Sequence, residues 1–276
     1  MTDFSPAEHY DRVTDAWREH LLGDELHYGV FDKGDESLPE ATEALTRRMI
    51  DGARLEPGLR VLDVGCGTGA PACLLGAEQG VSVLGITTSQ VGVDTANARA
   101  KAAGLDGVSF ELRDGTDNGL EDASFDRVWV LESSHLMREV DRLMAECARV
   151  LRPGGRIVLC DIITRREIPF REVKERRADF AVLRAAFGDA HMRQLDRYAE
   201  LATAEGLDVD TVVDLTELTL PTFDRWRLNA AQHAEGVADL IGSDGLADFE
   251  RSLDILEAFW RDGTMGYGLL AAAKPG

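Results

Sequence analysis

From residue 60 onward, short runs of β-branched and apolar residues alternate with stretches of helical spacing. The runs are RVLDV (60–64), VSVLGI (81–86), VSFEL (108–112), DRVWVLE (126–132) and RIVLCDI (156–162). Between them lie APACLLGAEQG, SQVGVDTANARAKAAG and REVDRLMAECARVL, where apolar positions recur every three or four residues. This alternation predicts βαβ units and a parallel sheet with helices on both faces. LRPGG (151–155) predicts the turn that ends a helix before the fifth strand.

After residue 164 the rhythm changes. REIPFREVKERRADFAVLRAAFG predicts a long charged helical stretch without a strand. A helix (LDRYAELATAEG), a strand (210–218), two further helices (about 222–261) and a last strand, GYGLLAAAK (266–274), follow. The pattern therefore predicts a seven-stranded, mostly parallel α/β sheet with helical insertions after strands five and six. Those insertions are expected over the carboxyl ends of the strands, where open α/β sheets bind ligands. The first 55 residues read as helical. Tyr10, Val13, Trp17 and Leu21 share one helix face, a stripe that is more often packing than ligand contact. His27, Tyr28 and Gly29 crowd into a loop, where functional residues concentrate. Three regions result: a helical lid over 1–55, a core over 56–164, and cap helices with the last two core strands over 165–276.

Composition narrows the function classes. The 276 residues are 44 % apolar, enough for one large domain or a domain with an insertion. Fifty acidic residues against thirty basic ones give a net charge of -20, which repels nucleic acid and anionic membranes. The densest basic cluster, 165–177, is interrupted by three glutamates. Solubility is the plainer reading of the acidity. No apolar run approaches the roughly 20 residues of a membrane span, and the N-terminus has neither the basic start nor the apolar core of a signal peptide. Cys66, Cys73, Cys147 and Cys160 form no CxxC pair and sit in apolar segments, which suggests reduced, buried thiols in a cytoplasmic protein. No His/Cys cluster has metal-ligand spacing.

VLDVGCGTGAPA (61–72) carries the chemistry. An apolar run ends in Gly65, Gly67 and Gly69, so something must approach that backbone. The spacing is GxGxG, followed by Ala-Pro, and not the GxGxxG of dinucleotide folds. Asp63 stands two residues before the first glycine. It would repel a pyrophosphate by about 4 kcal/mol for unit charges ~4 Å apart at an effective dielectric of ~20. The acidic residue that a dinucleotide ribose wants is missing, since Gly85-Ile86-Thr87-Thr88 is uncharged. An acidic loop suits a ligand with a positive end.

VLDVGCGTG resembles the first motif of the class I S-adenosylmethionine-dependent methyltransferases. GITTSQ after strand two, LRDGTD (112–117), VWVLESSHLM (128–137) and LRPGGRIVLCD (151–161) match further motifs in order. The resemblance covers about 10 to 218. It is greatest to small-molecule enzymes of bacterial natural-product pathways: sugar O-methyltransferases of the rebeccamycin type, prenyl-diphosphate C-methyltransferases, and relatives of sterol and tocopherol methyltransferases. These share a YD…HYG pattern, here Tyr10-Asp11 and His27-Tyr28-Gly29, and a cap after strand five.

The resemblance implies a Rossmann-like fold with S-adenosyl-L-methionine as cofactor. It implies that Gly65, Gly67 and Gly69 admit the methionine part, that Asp63 meets its ammonium, and that Thr88 and Ser89 line the ribose. Many relatives carry a glutamine where this chain has Gly92. Asp114 would accept from the adenine amino group, with Gly115 and Thr116 flanking the ring, although Asp-Gly is also a common turn signal. Leu131 and Tyr28 would complete the cofactor site. His135 and Asp161 match a paired base in the rebeccamycin-type enzymes, so the resemblance implies that His135 deprotonates an acceptor hydroxyl and Asp161 steadies it. The alternative for His135 is a helix cap or a satisfied buried polar group. The acceptor, a small molecule, would meet Tyr10, Trp17, Phe170, Phe180 and Trp226, though such aromatics also pack a cap's own core. No nucleic acid, membrane or metal partner is expected, and a homo-oligomer is compatible with the chain. The competing function is a cofactor-binding cyclase of the same fold acting on a polyketide or isoprenoid.

Overall fold

The computed structural model describes residue 14, residues 16–23 and residues 25–276. Tyr10 and Val13, two members of the N-terminal stripe, lie outside them. In chain order, a π-helical turn (Trp17–Leu21) precedes α1 (Leu38–Ala53) and β1 (Arg60–Val64). There follow α2 (Ala70–Gln79), β2 (Ser82–Thr87), α3 (Gln90–Ala102), β3 (Val108–Leu112) and β4 (Phe125–Leu131). A 3-10 turn (Ser134–Leu136), α4 (Val140–Val150) and β5 (Leu151–Thr164) come next. The insertion after β5 holds α5 (Phe170–Glu175), α6 (Arg177–Phe187) and α7 (Leu195–Ala204). After β6 (Asp208–Asp214) come α8 (Thr216–Thr219), α9 (Thr222–Gln232) and α10 (Ala234–Arg261), and β7 (Met265–Ala273) ends the fold.

The sheet order is β3-β2-β1-β4-β5-β7-β6. β1 pairs in parallel with β2 and β4, β2 with β3, and β4 with β5, whereas β6 and β7 are antiparallel. The expected Rossmann-like sheet, with insertions after strands five and six, is therefore the observed fold. Its strand order reverses between β1 and β4, the crevice where open α/β sheets take ligands.

The chain divides into two compact units. The first, the sheet unit, comprises 46–161, 195–214 and 268–276. Its central strands β1, β2, β4 and β5 are near-continuous buried runs because both faces are covered, whereas β6 at the edge is mostly exposed. α4 shows how a helix joins it: Val140, Leu143, Met144, Cys147 and Ala148 recur at helical spacing and are all buried. Each large side chain so buried contributes about 1.5–3 kcal/mol. The last carbonyls of α1 are met by arginines from the sheet. Arg127 donates to the Ala53 and Arg54 carbonyls, and Arg156 donates to Gly52 while forking onto Asp210 of β6 at 2.8 and 2.9 Å. Cations at a helix C-terminus also favour its dipole.

The second, the insertion unit, comprises 162–194, 215–267 and the described part of 1–45. Its core is aromatic. Tyr28 stacks on Trp260 at 5.4 Å and meets Phe223, Trp226 and Tyr267. Trp17 packs on Phe187 and Phe180 on Phe259, with the Arg176 guanidinium 3.6 Å above the Phe259 ring. α10 bends at Gly242, which adopts φ 82°.

Three boundaries depart from the sequence pattern. The fifth strand begins at Leu151, so LRPGG lies within it, with an irregularity in its pairing to β4 and Gly154 at φ 77°. Gly154 donates to the Lys274 carbonyl and Lys274 donates to Gly155, and these lateral partners hold the segment open. The sixth strand runs Asp208–Asp214 and not to 218, because Thr216 enters a helical turn. The charged stretch after 164 is broken into α5 and α6 at Arg176. No helix among the described residues is long and apolar enough to cross a membrane, and none of their acidic, His or Cys side chains cluster in a metal-binding group.

Candidate active site

The site is built where β1 and β4 end. Asp63 is in register with Gly85 on β2 and Trp129 on β4, so it points from the centre of the sheet. It is buried, and its Oδ2 has no hydrogen-bond partner among the described residues. Burial pushes its carboxyl up to about 7. Among the described residues no basic side chain opposes that rise. A carboxylate buried without a partner is costly, and a cation would relieve the cost.

The loop after Asp63 is shaped by its glycines. Gly65 has φ 83°, and a Cβ there would lie 2.2 Å from Ser133 Cβ, so the loop and the β4 end can meet only without that atom. Ser133 Oγ donates to the Val64 carbonyl at 2.6 Å and fastens the two segments. Gly67 is the opposite case: φ is 53° and nothing lies within 4 Å of where its Cβ would be. The open side of the loop is therefore bare backbone. An orphaned buried carboxylate beside bare backbone fits the methionine end of S-adenosylmethionine, which carries an ammonium and no phosphate.

The other sequence candidates of the sheet unit surround these. Thr88 is exposed, and Ser89 caps α3 by accepting from Gly92 N–H at 2.9 Å. Asp114 is exposed, and its Oδ1 accepts from the Thr116 N–H and hydroxyl, both at 2.8 Å, so one oxygen closes a turn. Gly115 is buried against Val64 and Met137, where a Cβ would lie 2.6 Å from Val64 Cγ1. Leu131 is buried at the end of β4.

His135 and Asp161 come together. The 3-10 turn after β4 presents His135, and β5 presents Asp161; both are buried. His135 Nδ1 lies 2.6 Å from Asp161 Oδ1, and the His135 backbone N–H donates to Oδ2 at 3.1 Å. Burial disfavours the charged ring, but the charge and hydrogen bond of Asp161, with Glu132, outweigh it and hold His135 above the ordinary imidazole range. Two further groups join the pair: Ser134 Oγ donates to Asp161 Oδ2, and Tyr198 of α7 lies 2.8 Å from Ser134 Oγ. Sequence reasoning missed both. Ser134 adjoins the histidine, whereas Tyr198 sits in an ordinary amphipathic helix with no local sign of its partner.

The remaining candidates belong to the insertion unit. Tyr28, Trp17, Phe180 and Trp226 take part in its aromatic packing, and Phe170 is 83 % exposed on α5. Beside Tyr28, His27 is buried, with Nδ1 2.8 Å from the Tyr28 carbonyl and Nε2 2.7 Å from Glu25. Tyr10 lies outside the described residues.

Comparison with known proteins bears on the whole chain. Residues 62–159 match the family model of a methyltransferase domain. The chain is 36 % identical over 268 residues to the 27-O-demethylrifamycin SV methyltransferase of Amycolatopsis mediterranei strain S699, covering 96 % of this chain and 95 % of that one. It is 33 % identical to methyltransferase GfsG of Streptomyces halstedii, covering 97 % and 93 %. Among solved structures, the [4+2]-cyclase SpnF superposes with a TM-score of 0.82 at 29 % identity, over 98 % of this chain and 95 % of that one. With these relatives and the built site, the chain belongs to the class I S-adenosylmethionine-dependent methyltransferases, in the branch that serves small-molecule natural products.

Proposed function

We propose that this enzyme methylates a hydroxyl group of a small natural product, with His135 as general base and Asp161 as its partner. The observation that carries the reading is the buried 2.6 Å contact between His135 Nδ1 and Asp161 Oδ1. A carboxylate accepts only, so the neutral ring keeps its proton on Nδ1 and has a lone pair on Nε2. A base so oriented takes the hydroxyl proton as the oxygen attacks, and Asp161 balances the imidazolium. The acceptor of the first relative, 27-O-demethylrifamycin SV, suggests transfer to oxygen.

The cofactor contacts follow from the same residues. Asp63 receives the ammonium, and the open backbone at Gly67 lies along the methionine part, between Gly65, packed on Ser133, and Gly69, packed on Phe110 and Ala96. Asp114 accepts from the adenine amino group through its free oxygen, with Gly115, Thr116 and Leu131 around the ring. Thr88 and Ser89 complete the binding set on the sheet unit. Bound S-adenosylmethionine supplies an electrophilic methyl group. The protein's share is alignment, worth up to ~7–11 kcal/mol, and removal of the proton.

The test uses methyl-labelled cofactor with 27-O-demethylrifamycin SV and a panel of hydroxylated small natural products. Label is expected on oxygen, and His135→Ala is expected to lower turnover by ~10²–10⁴ with cofactor affinity nearly unchanged. Label on carbon, or full turnover by His135→Ala, would overturn the reading. The likeness to a [4+2]-cyclase supports a second one, ring closure without methyl transfer. A cyclase consumes its substrate while releasing no S-adenosylhomocysteine.

A further inference from the structure

We propose that Ser134 and Tyr198 are positioning residues for the base, forming a hydrogen-bonded relay from α7 through Ser134 to Asp161 that aims His135 and moderates its hold on a proton. The proposal rests on His135 acting as the base. Directions along the relay follow from chemistry. Asp161 as a carboxylate has no proton to give, so the single Ser134 O–H must donate to Oδ2. The Ser134 oxygen is then free only to accept, so Tyr198 is the donor across 2.8 Å. Tyr198, Ser134 and Asp161 are each 0 % exposed, so no bulk water competes for these bonds.

Asp161 therefore receives three donors from two neighbouring residues: the Ser134 hydroxyl, the His135 backbone N–H and His135 Nδ1–H. Burying a carboxylate costs several kcal/mol unless its lone pairs are met. Here Oδ2 is met by Ser134 and the backbone, which leaves Oδ1 aimed at the ring. The relay also disperses the carboxylate charge. Among the described residues, the charged groups that act on His135 are Asp161 on β5 and Glu132 at the end of β4, while Tyr198 reaches the pair through Ser134. Without the hydroxyls, more of Asp161's charge would fall on the imidazolium. His135 would hold its proton more tightly, and less of it would be free to act as a base at a given pH. A base at this site needs its partner carboxylate restrained, and the relay restrains it.

The experiment is a titration of His135 by nitrogen-15 NMR in the full-length protein, with its signals assigned by their loss in His135→Gln. Wild type should show the Nδ1–H tautomer when neutral. Tyr198→Phe keeps the ring and removes the donor; Ser134→Ala removes the bridge. Each should raise the His135 midpoint by about half a unit to one unit. Ser134→Thr keeps a hydroxyl and should restore the wild-type midpoint and tautomer. A purely structural role would lower the melting temperature without moving either. If Tyr198→Phe does not fold, the two Ser134 variants decide. An unmoved or lowered midpoint in folded Ser134→Ala overturns the relay and leaves the base reading standing. Full turnover by His135→Ala removes the base reading and leaves the titration signature in place.

Discussion

Asp63 stands two residues before the first glycine of the loop, with no hydrogen-bond partner at its Oδ2 among the described residues. Its carboxyl titrates near 7 because it is buried without a compensating charge. In the proposed contact the ammonium needs the ionised form, so binding would expel the proton at lower pH. Affinity for S-adenosylhomocysteine should therefore rise about tenfold from pH 6 to pH 8, and calorimetry in buffers of different ionisation heat should detect proton release below pH 7. Asp63→Asn should flatten that dependence; an equally steep dependence in the variant would place the proton elsewhere. Asp63, Gly65, His135 and Asp161 were all legible as candidates in the sequence, because each lies at or near the end of a strand within a recognisable motif. Ser134 and Tyr198 were not. They are 64 residues apart, and no local pattern reports a partner brought by tertiary folding.

At the scale of elements, β1, β2, β4 and β5 were readable because a strand covered on both faces must be an apolar run, and β3 because its buried positions alternate with exposed ones. The sixth was not read to its end. TEL looks like continuing strand, but the Thr216 hydroxyl accepts from the Tyr267 N–H at 3.1 Å, so a side chain serves as the last rung while the backbone turns helical. The junction of the glycine loop with the β4 end makes a sharper claim. Gly65→Ala places a Cβ against Ser133 and forces a non-glycine residue to φ 83°. Denaturant unfolding should show a loss of about 2–4 kcal/mol. Adding Ser133→Gly should recover only part of it, since the clash is relieved but the backbone strain persists. Complete recovery would mean that the backbone conformation carries no cost.

For the whole molecule, two buried groups push stability in the same direction. Asp63 and His135 both hold protons more tightly in the fold than in the unfolded chain. The stabilisation from Asp63 is complete below its unfolded value near 3.8 and is lost as pH rises through about 7. That from His135 is complete below 6.5 and is lost as pH rises through its higher folded value. The carboxylates held low by arginines, such as Asp210 and Glu146, are already ionised above pH 5 and do not offset this. The melting temperature without cofactor should accordingly fall by roughly 5 °C between pH 5 and pH 8, and S-adenosylhomocysteine should restore more of it at pH 8 than at pH 6. A flat melting curve across that range would contradict the burial of both groups. The strand order carries a last consequence, for synthesis. β7 lies between β5 and β6, yet it is made last. Until its residues leave the ribosome, β6 has no neighbour and β5 shows an open edge to any other chain. A bare apolar strand is thus exposed until β7 is made, and a chain that stopped before β7 would keep that edge open to other chains.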